Sequence, residues 1–189
     1  HLSHLKVSVM TGSAQKREAA RLAPADIYVT NYVSLPWLVE KWGAKWPYRT
    51  VVADEATRLK GFRSRQGSAR AKALAKVSRH LITRFIELTG TPAPNGLMDL
   101  WGQMWFLDFG KRLGTSMRAY QERWFRPLRL GDDPFAVKWI PMEFSEGDIH
   151  ALLSDVTVKI NPEDWFDLEN PIVSPVYVEL PKPARERYD

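Results

Sequence analysis

Several features that define common protein classes are missing from the sequence. It has no cysteine, which excludes disulfide bonds, cysteine-ligated metal sites and a cysteine nucleophile. No apolar run approaches the roughly 18 residues that a membrane-spanning helix requires, and the N-terminus lacks the layout of a secretion signal. The histidines form no His-x-x-x-His pair, so we expect no zinc site; they are His1, His4, His80 and His150. The sequence therefore predicts a cytoplasmic protein without membrane association.

Acidic residues are scarce in the first two thirds of the chain. Residues 1–130 carry 22 Lys and Arg against 9 Asp and Glu, whereas residues 131–189 carry 5 against 13. The stretch from Arg58 to Arg84 contains nine basic residues and no acid. A basic lobe of this kind favours a polyanionic partner such as nucleic acid. A helix with a solvated basic face explains the same run equally well.

The apolar pattern predicts strands alternating with helices, an order typical of βαβ units and a parallel sheet. We expect strands at 5–10, 26–30, 49–53 and 85–88, and helices at about 13–22, 36–43, 68–82, 97–107 and 116–125. Beyond these, the pattern indicates a linker at 130–142, a small helix at 146–153, a strand at 157–160 and an extended edge or crossing strand at 172–180. The predicted fold class is α/β, a mostly parallel sheet flanked by helices.

Two adjacent acids, Asp54 and Glu55, follow the strand predicted at 49–53. In nucleoside-triphosphate enzymes the first carboxylate of such a pair holds Mg²⁺, usually through water, and the second polarises the attacking water. Taken alone, the pair is better explained as an acidic turn at a strand end.

A second polar loop, Thr89-Gly90-Thr91-Pro92, follows the next predicted strand. Because parallel strands bring their carboxyl ends to one edge of a sheet, we expect this loop beside Asp54 and Glu55. The hydroxyls of Thr89 and Thr91 are then placed to hydrogen-bond the acidic loop, and Gly90 permits close backbone approach. The ordered pair of loops is much more specific than either one.

Together these motifs resemble the first RecA-like lobe of a Swi/Snf-type ATPase of helicase superfamily two, of the sort often carried by phages. Asp54–Thr57 (DEAT) resembles the Walker B box, and Thr89–Trp101 resembles motif III and its following helix. Thr30-Asn31-Tyr32 matches motif Ib, Arg58-Leu59-Lys60 resembles the basic tripeptide after the Walker B box, and Val176–Tyr188 resembles the crossing into a second lobe.

The resemblance implies an ATP-hydrolysing motor on nucleic acid, with duplex DNA as the expected partner, Mg²⁺ as cofactor and the host cytoplasm as the setting if a phage encodes it. Asp54 would hold Mg²⁺ through water and Glu55 would be the general base. The coupling residues would be Thr57, Thr89, Gly90, Thr91 and Pro92, and the nucleic-acid-binding residues would be Thr30, Asn31, Tyr32, Arg58, Lys60, Arg63 and Arg65. Many members of the family have histidine where this chain has Thr57.

A phosphate-binding loop of the form G-x-x-x-x-G-K-[ST] is absent from the 189 residues. The one Gly-Lys pair, Gly110-Lys111, is followed by Arg112. By the resemblance, that loop and the first strand would lie upstream of residue 1, and the second lobe would follow Asp189. We therefore expect three segments: a partial RecA-like lobe at 1–130, its acidic extension at 131–171 and a connector at 172–189. The isolated chain is expected to be inactive.

Two other functions stay open at this stage. One is a non-catalytic basic module for nucleic acid, descended from such an ATPase, which would not need Asp54 and Glu55. The other is an unrelated Mg²⁺ enzyme such as a nuclease, which would need further clustered carboxylates beside a lysine.

Overall fold

A computed structural model describes residues 3–63, 67–129 and 137–160, together with Ser174, Pro175, Tyr177, Pro181 and Arg185. The chain divides into two compact units, residues 1–155 and 156–189. No helix within the described residues is long and apolar enough to cross a lipid bilayer. In the second unit, residues 157–160 are described and form no strand, so the strand predicted there is wrong. Most of the extended segment predicted at 172–180 lies outside the described residues.

The described strands form three pairs. Strand β1 (Val7–Val9) runs parallel to β2 (Ile27–Val29), and β3 (Thr50–Asp54) runs parallel to β4 (Arg84–Leu88). Strand β5 (Phe125–Arg129) is antiparallel to β6 (Val137–Pro141). The α/β class with parallel pairing is thus confirmed. The four parallel strands form two separate pairs, and a cavity of about 950 Å³ lies between β2 and β3.

Six described α-helices follow the predicted order: α1 (Ala14–Leu22), α2 (Leu35–Trp42), α3 (Ala69–Leu81), α4 (Leu100–Asp108), α5 (Met117–Trp124) and α6 (Ser145–Leu153). Short 3₁₀ helices span Tyr32–Ser34, Gly43–Lys45, Ala56–Leu59 and Leu97–Asp99. Serine caps begin two of the α-helices: the Ser13 hydroxyl accepts the Lys16 amide and the Ser116 hydroxyl accepts the Ala119 amide.

Aromatic side chains form much of the core. The Phe62 ring stacks on Trp101 with centroids 5.8 Å apart, and Phe85 stacks on Phe106 at 5.4 Å. Helix α4 therefore packs against both the segment after β3 and the inner face of β4. Trp101 is 1% exposed. Its place in the core agrees with the four-residue spacing of Trp101 and Trp105 and leaves Trp101 unable to stack on bases.

The linker predicted at 130–142 is wrong in its second half, because residues 137–141 form strand β6. Proline is unfavourable within a sheet because it cannot donate to a ladder, yet Pro127 lies in β5 and Pro141 ends β6. In a two-stranded hairpin each proline nitrogen can face away from the partner strand, and the register pairs Pro127 with Trp139. After the hairpin, α6 buries Ile149 and Leu153, so the compact unit extends to Asp155. The segment boundaries at 130 and 171 stay predictions.

Candidate functional site

The two polar loops of the sequence leave the same edge of one strand pair. The β3–β4 register places Ala53 opposite Glu87 and Asp54 opposite Leu88. The acidic loop therefore begins level with Thr89, the first residue of the second loop. This juxtaposition follows from parallel pairing, because both strands end at the edge where their loops begin.

The acidic loop turns sharply at its second carboxylate. Glu55 has φ 52° and ψ 53°, a left-handed conformation that costs a non-glycine residue roughly 1–2 kcal/mol. The Glu55 amide donates to Asp54 Oδ1 at 3.0 Å, and the chain then enters the 3₁₀ helix Ala56–Leu59. Both acids are exposed, and the Glu55 carboxylate makes no hydrogen bond or ion pair with another described residue. Glu55 is thus held out towards solvent by a strained backbone, a feature common at reacting sites.

The side chains at this sheet edge could supply a hard cation with only some of its oxygen ligands. Among the described residues no group of three or more His, Asp or Glu side chains could cage a metal ion. Mg²⁺ does not need such a cage, since it keeps several waters and binds through one or two carboxylates plus substrate phosphates. Asp54 Oδ2 bonds no described residue, so it can accept a metal-bound water. The residues present therefore fit a water-mediated Mg²⁺ ligand.

Tyr32 ties the predicted motif Ib to the acidic loop. Its hydroxyl donates to the Asp54 carbonyl at 2.8 Å, and burial, followed by the carboxylates of Glu87 and Asp54, raises the pKa of Tyr32 to about 12. The hydroxyl is therefore a permanent donor at neutral pH. The link fixes the backbone that carries both carboxylates, and nothing in the sequence predicts it beyond the presence of Tyr32 in the motif.

Replacing Tyr32 with phenylalanine in the full-length protein is expected to destabilise it by about 1 kcal/mol, because the bond from the partly buried Tyr32 hydroxyl to the Asp54 carbonyl is lost. The measurement is the shift in thermal unfolding. Tyr177→Phe is the matched control, since Tyr177 is 92% exposed. Equal unfolding temperatures for the two variants would contradict the Tyr32 link.

The other two motif Ib residues also bond within the chain. Thr30 Oγ1 donates to the Met10 carbonyl at 3.2 Å, and Asn31 Oδ1 accepts the Ser34 amide at 2.9 Å, which begins the 3₁₀ helix. Asn31 is exposed, whereas Thr30 and Tyr32 are partly buried. The assignment of all three to nucleic-acid contact stays a prediction.

The Thr89–Pro92 loop does not form the expected side-chain bonds to the acidic loop. Thr89 Oγ1 instead accepts the Thr91 amide at 3.2 Å, and no described hydrogen bond joins Thr57, Thr89 or Thr91 across the two loops. Gly90 was expected to permit close backbone approach, but a Cβ built there would meet nothing within 4 Å. Coupling through these residues stays a prediction, without the contacts first expected of it.

The segments that follow the two loops are joined by contacts of the Asp99 carboxylate. Lys60 Nζ pairs with Asp99 Oδ2 at 3.0 Å, and the same oxygen accepts the Asn95 amide at 3.1 Å and Asn95 Nδ2 at 3.0 Å. Asp99 therefore holds the segment after the acidic box and the segment after Pro92 together. Sequence reasoning missed this role of Asp99. An acid at the start of a helix, in a region otherwise poor in acids, was the available signal.

The basic residues predicted to contact nucleic acid differ in whether their side chains bond within the chain. Arg58 is exposed and forms no ion pair among the described residues. Lys60 is occupied by Asp99, and Arg63 turns inward to donate to the Phe62 carbonyl at 2.6 Å and the Lys60 carbonyl at 3.0 Å. Burial lowers the pKa of Arg63. Arg65 lies outside the described residues.

Two buried polar residues at this edge were also missed. Gln103 is 0% exposed, so it cannot contact nucleic acid, and its Nε2 donates to the Pro92 carbonyl. Glu87, two residues before Thr89, has both carboxylate oxygens closed off from solvent without a described hydrogen-bond partner. Burial raises its pKa to about 8. The signal for this role in the sequence was a single acid among the apolar residues of β4.

Comparison with known proteins identifies relatives. The SNF2-related domain matches residues 1–153, close to the extent of the first compact unit. Protein p41 of Acyrthosiphon pisum secondary endosymbiont phage 1 is 45% identical over 189 residues, a span covering all of this chain and 41% of the phage protein.

Two eukaryotic proteins are also similar. A protein of Arabidopsis thaliana named as a SWI/SNF-related, matrix-associated, actin-dependent regulator of chromatin, subfamily A member 3-like 1, is 27% identical over 191 residues, covering 98% of this chain and 19% of that protein. The TATA-binding protein-associated factor mot1 of Schizosaccharomyces pombe is 32% identical over 132 residues, covering 68% of this chain and 6% of mot1. The chain thus spans less than half the length of each relative.

Proposed function

Because the chain belongs to the SNF2-related domain family, we propose that it forms part of a motor that hydrolyses ATP on duplex DNA. The observation that carries the proposal is the placement of Asp54 and Glu55 at the same sheet edge as Thr89–Pro92. Relatives named as chromatin and TATA-binding-protein-associated factors support a DNA partner.

Each acid has a distinct chemical task in this proposal. Asp54 would hold Mg²⁺ through water, and the bound cation would neutralise charge on the phosphate oxygens. Glu55, exposed and unpaired among the described residues, would accept the proton of the attacking water. The left-handed turn at Glu55 holds the carboxylate clear of the sheet, and the Tyr32 hydroxyl fixes the preceding carbonyl. The backbone that carries the base would then need little reorganisation when substrate arrives.

We further propose that the 189-residue chain does not hydrolyse ATP by itself, since its sequence contains no G-x-x-x-x-G-K-[ST] loop. The test compares ATP hydrolysis by this chain with that of the full-length protein, each with Mg²⁺ and duplex DNA. Turnover is expected only in the full-length protein. Turnover by the isolated chain that disappears with Glu55→Gln would contradict the proposal. Salt-sensitive DNA binding with no turnover in either protein would favour a non-catalytic DNA-binding module.

Among the predicted basic contacts that the structure describes, Arg58 is the exposed one, so Arg58→Ala is expected to weaken duplex DNA binding by the full-length protein. Each phosphate contact contributes about 0.9 to the slope of log affinity against log salt, so the slope is expected to become shallower by about 1. The measurement is a salt titration of DNA affinity. Arg118→Ala removes the same charge from a side chain that is 86% exposed and paired with Glu122 on α5. An equal change in slope for the two variants would contradict a specific contact at Arg58.

A further inference from the structure

The layer between β4 and α4 is apolar except for two side chains that the proposed chemistry does not use. Phe85 and Phe106 stack in this layer with ring centroids 5.4 Å apart. Glu87 lies two residues further along β4 on the same face as Phe85, because strand side chains alternate. Gln103 lies three residues before Phe106, on the same side of α4.

The direction of α4 brings these two polar side chains to the same level. Gln103 bonds the Pro92 carbonyl, in the loop just beyond the carboxyl end of β4, whereas Phe106 lies beside Phe85 further down the strand. Helix α4 therefore descends from that edge, antiparallel to β4. Glu87 is between Phe85 and Pro92 along the chain, so this arrangement of β4 and α4 puts it at the level of the α4 turn that contains Gln103.

The buried side chains of Glu87 and Gln103 present hydrogen-bond acceptors that have no donor. The Pro92 carbonyl can only accept, so it fixes the Gln103 amide with its nitrogen towards the loop and its oxygen free. Gln103 Oε1 and both carboxylate oxygens of Glu87 are buried without a described partner. These are three acceptors with no donor between them, and a buried acceptor without a donor costs about 1–3 kcal/mol. One proton on Glu87 removes the imbalance.

We propose that Glu87 is protonated, that its carboxyl group donates to Gln103 Oε1, and that the pair positions the Thr89–Pro92 loop through the bond from Gln103 Nε2 to the Pro92 carbonyl. Glu87 and Gln103 are then positioning residues that act from beneath the loop.

The electrostatics around Glu87 agree with a neutral side chain. Burial is the one cause that raises its pKa, and no charged side chain contributes to the shift. Glu87 acts electrostatically on Tyr32, whose hydroxyl is neutral and is also influenced by Asp54, Glu55 and Arg58. Because the folded pKa of about 8 lies above the ordinary value of 4.5, folding takes up a proton. Stability is therefore expected to fall as the pH rises from about 4.5 to 8, and to change no further from this group above pH 8.

The test uses the full-length protein and does not depend on ATP hydrolysis. Infrared difference spectroscopy near pH 6.5 is expected to show a protonated carboxylic acid band that Glu87→Gln removes and that the exposed Glu143→Gln retains. Thermal unfolding measured from pH 5 to pH 9 is expected to show that Glu87→Gln gains stability relative to the native protein as the pH rises. If Glu87→Gln does not fold, Glu87→Asp is expected to shift the same band.

The positioning role has its own measurement. Gln103→Met removes both bonds at similar volume, so hydrogen exchange of the Thr89, Gly90 and Thr91 amides is expected to accelerate about tenfold, the equivalent of about 1.4 kcal/mol. Glu87→Gln should leave that exchange nearly unchanged, because an amide can still donate to Gln103 Oε1. An unchanged infrared spectrum with a parallel pH profile would overturn the protonated pair. Unaltered loop exchange in Gln103→Met would overturn the positioning role. Both outcomes are separate from a failure of the motor proposal.

Discussion

Glutamine in place of Glu55 is expected to lower Mg²⁺-dependent ATP hydrolysis by the full-length protein at least 100-fold. A general base contributes about 10²–10⁴-fold to such a reaction, and the amide cannot accept the proton of the attacking water. Glu55 is exposed and forms no bond that stabilises the fold among the described residues, so the variant should unfold at the native temperature. Nucleotide binding should also be retained, because the charge lost is not a phosphate contact. The expected signature is therefore a loss of kcat with little change in KM.

Glu143→Gln is the matched control for this change. Glu143 is also exposed and also lacks a described ion pair, but it lies just before α6 and outside both loops of the site. Hydrolysis by this variant should equal that of the native protein. A Glu55→Gln variant that retains more than about a tenth of native turnover would exclude Glu55 as the base, since even a weak general base contributes more than that.

Alanine in place of Gly102 is expected to destabilise the full-length protein by about 1–3 kcal/mol. A Cβ at this position would lie 2.7 Å from the Lys60 carbonyl carbon and 2.9 Å from the Leu59 carbonyl oxygen. Both are backbone atoms, so α4 must move away from the 3₁₀ helix Ala56–Leu59 that follows the acidic loop. The shift should also weaken the Lys60–Asp99 ion pair and disturb the relation of the two loops. We therefore expect a lower unfolding temperature together with reduced ATP hydrolysis.

The direction of the stability change distinguishes a close contact at Gly102 from the ordinary effect of replacing glycine in a helix. In a helix without close neighbours, glycine to alanine stabilises by up to about 1 kcal/mol. Gly147 in α6 provides that case, because a Cβ there would meet nothing within 4 Å. Gly147→Ala should raise the unfolding temperature and Gly102→Ala should lower it. Stabilisation by both changes would contradict the close packing of α4 on Lys60.

Periodicity was sufficient to predict the elements that carry the site. The strand predicted at 49–53 is displaced by one residue from β3, and the strand predicted at 85–88 is one residue shorter than β4 at its start. Parallel pairing then placed the two polar loops at one edge without further information. The i, i+3, i+7 spacing of Leu74, Val77 and Leu81 predicts a buried face on α3; Leu74 and Val77 are 2% and 3% exposed, whereas Leu81 at the helix end is only partly buried.

Contacts made by distant residues were beyond the sequence. The hairpin of β5 and β6 depends on cross-strand pairs such as Pro127 with Trp139, which no local pattern contains. In the same way, the Lys60–Asp99 pair joins residues 39 apart, so Lys60 read from sequence was simply one cation in a basic run. Glu87 and Gln103 each looked like an isolated polar residue. Their structural role depends on the packing of α4 against β4, which only the fold shows.

The steady-state rate of Mg²⁺-dependent ATP hydrolysis by the full-length protein, measured with and without duplex DNA, distinguishes a motor from a passive DNA-binding module. We expect turnover that duplex DNA stimulates and that rising salt suppresses, because phosphate contacts weaken as salt increases. ATP hydrolysis that is absent under both conditions, in a folded protein that still binds duplex DNA, would contradict the motor and leave Asp54 and Glu55 without a catalytic role.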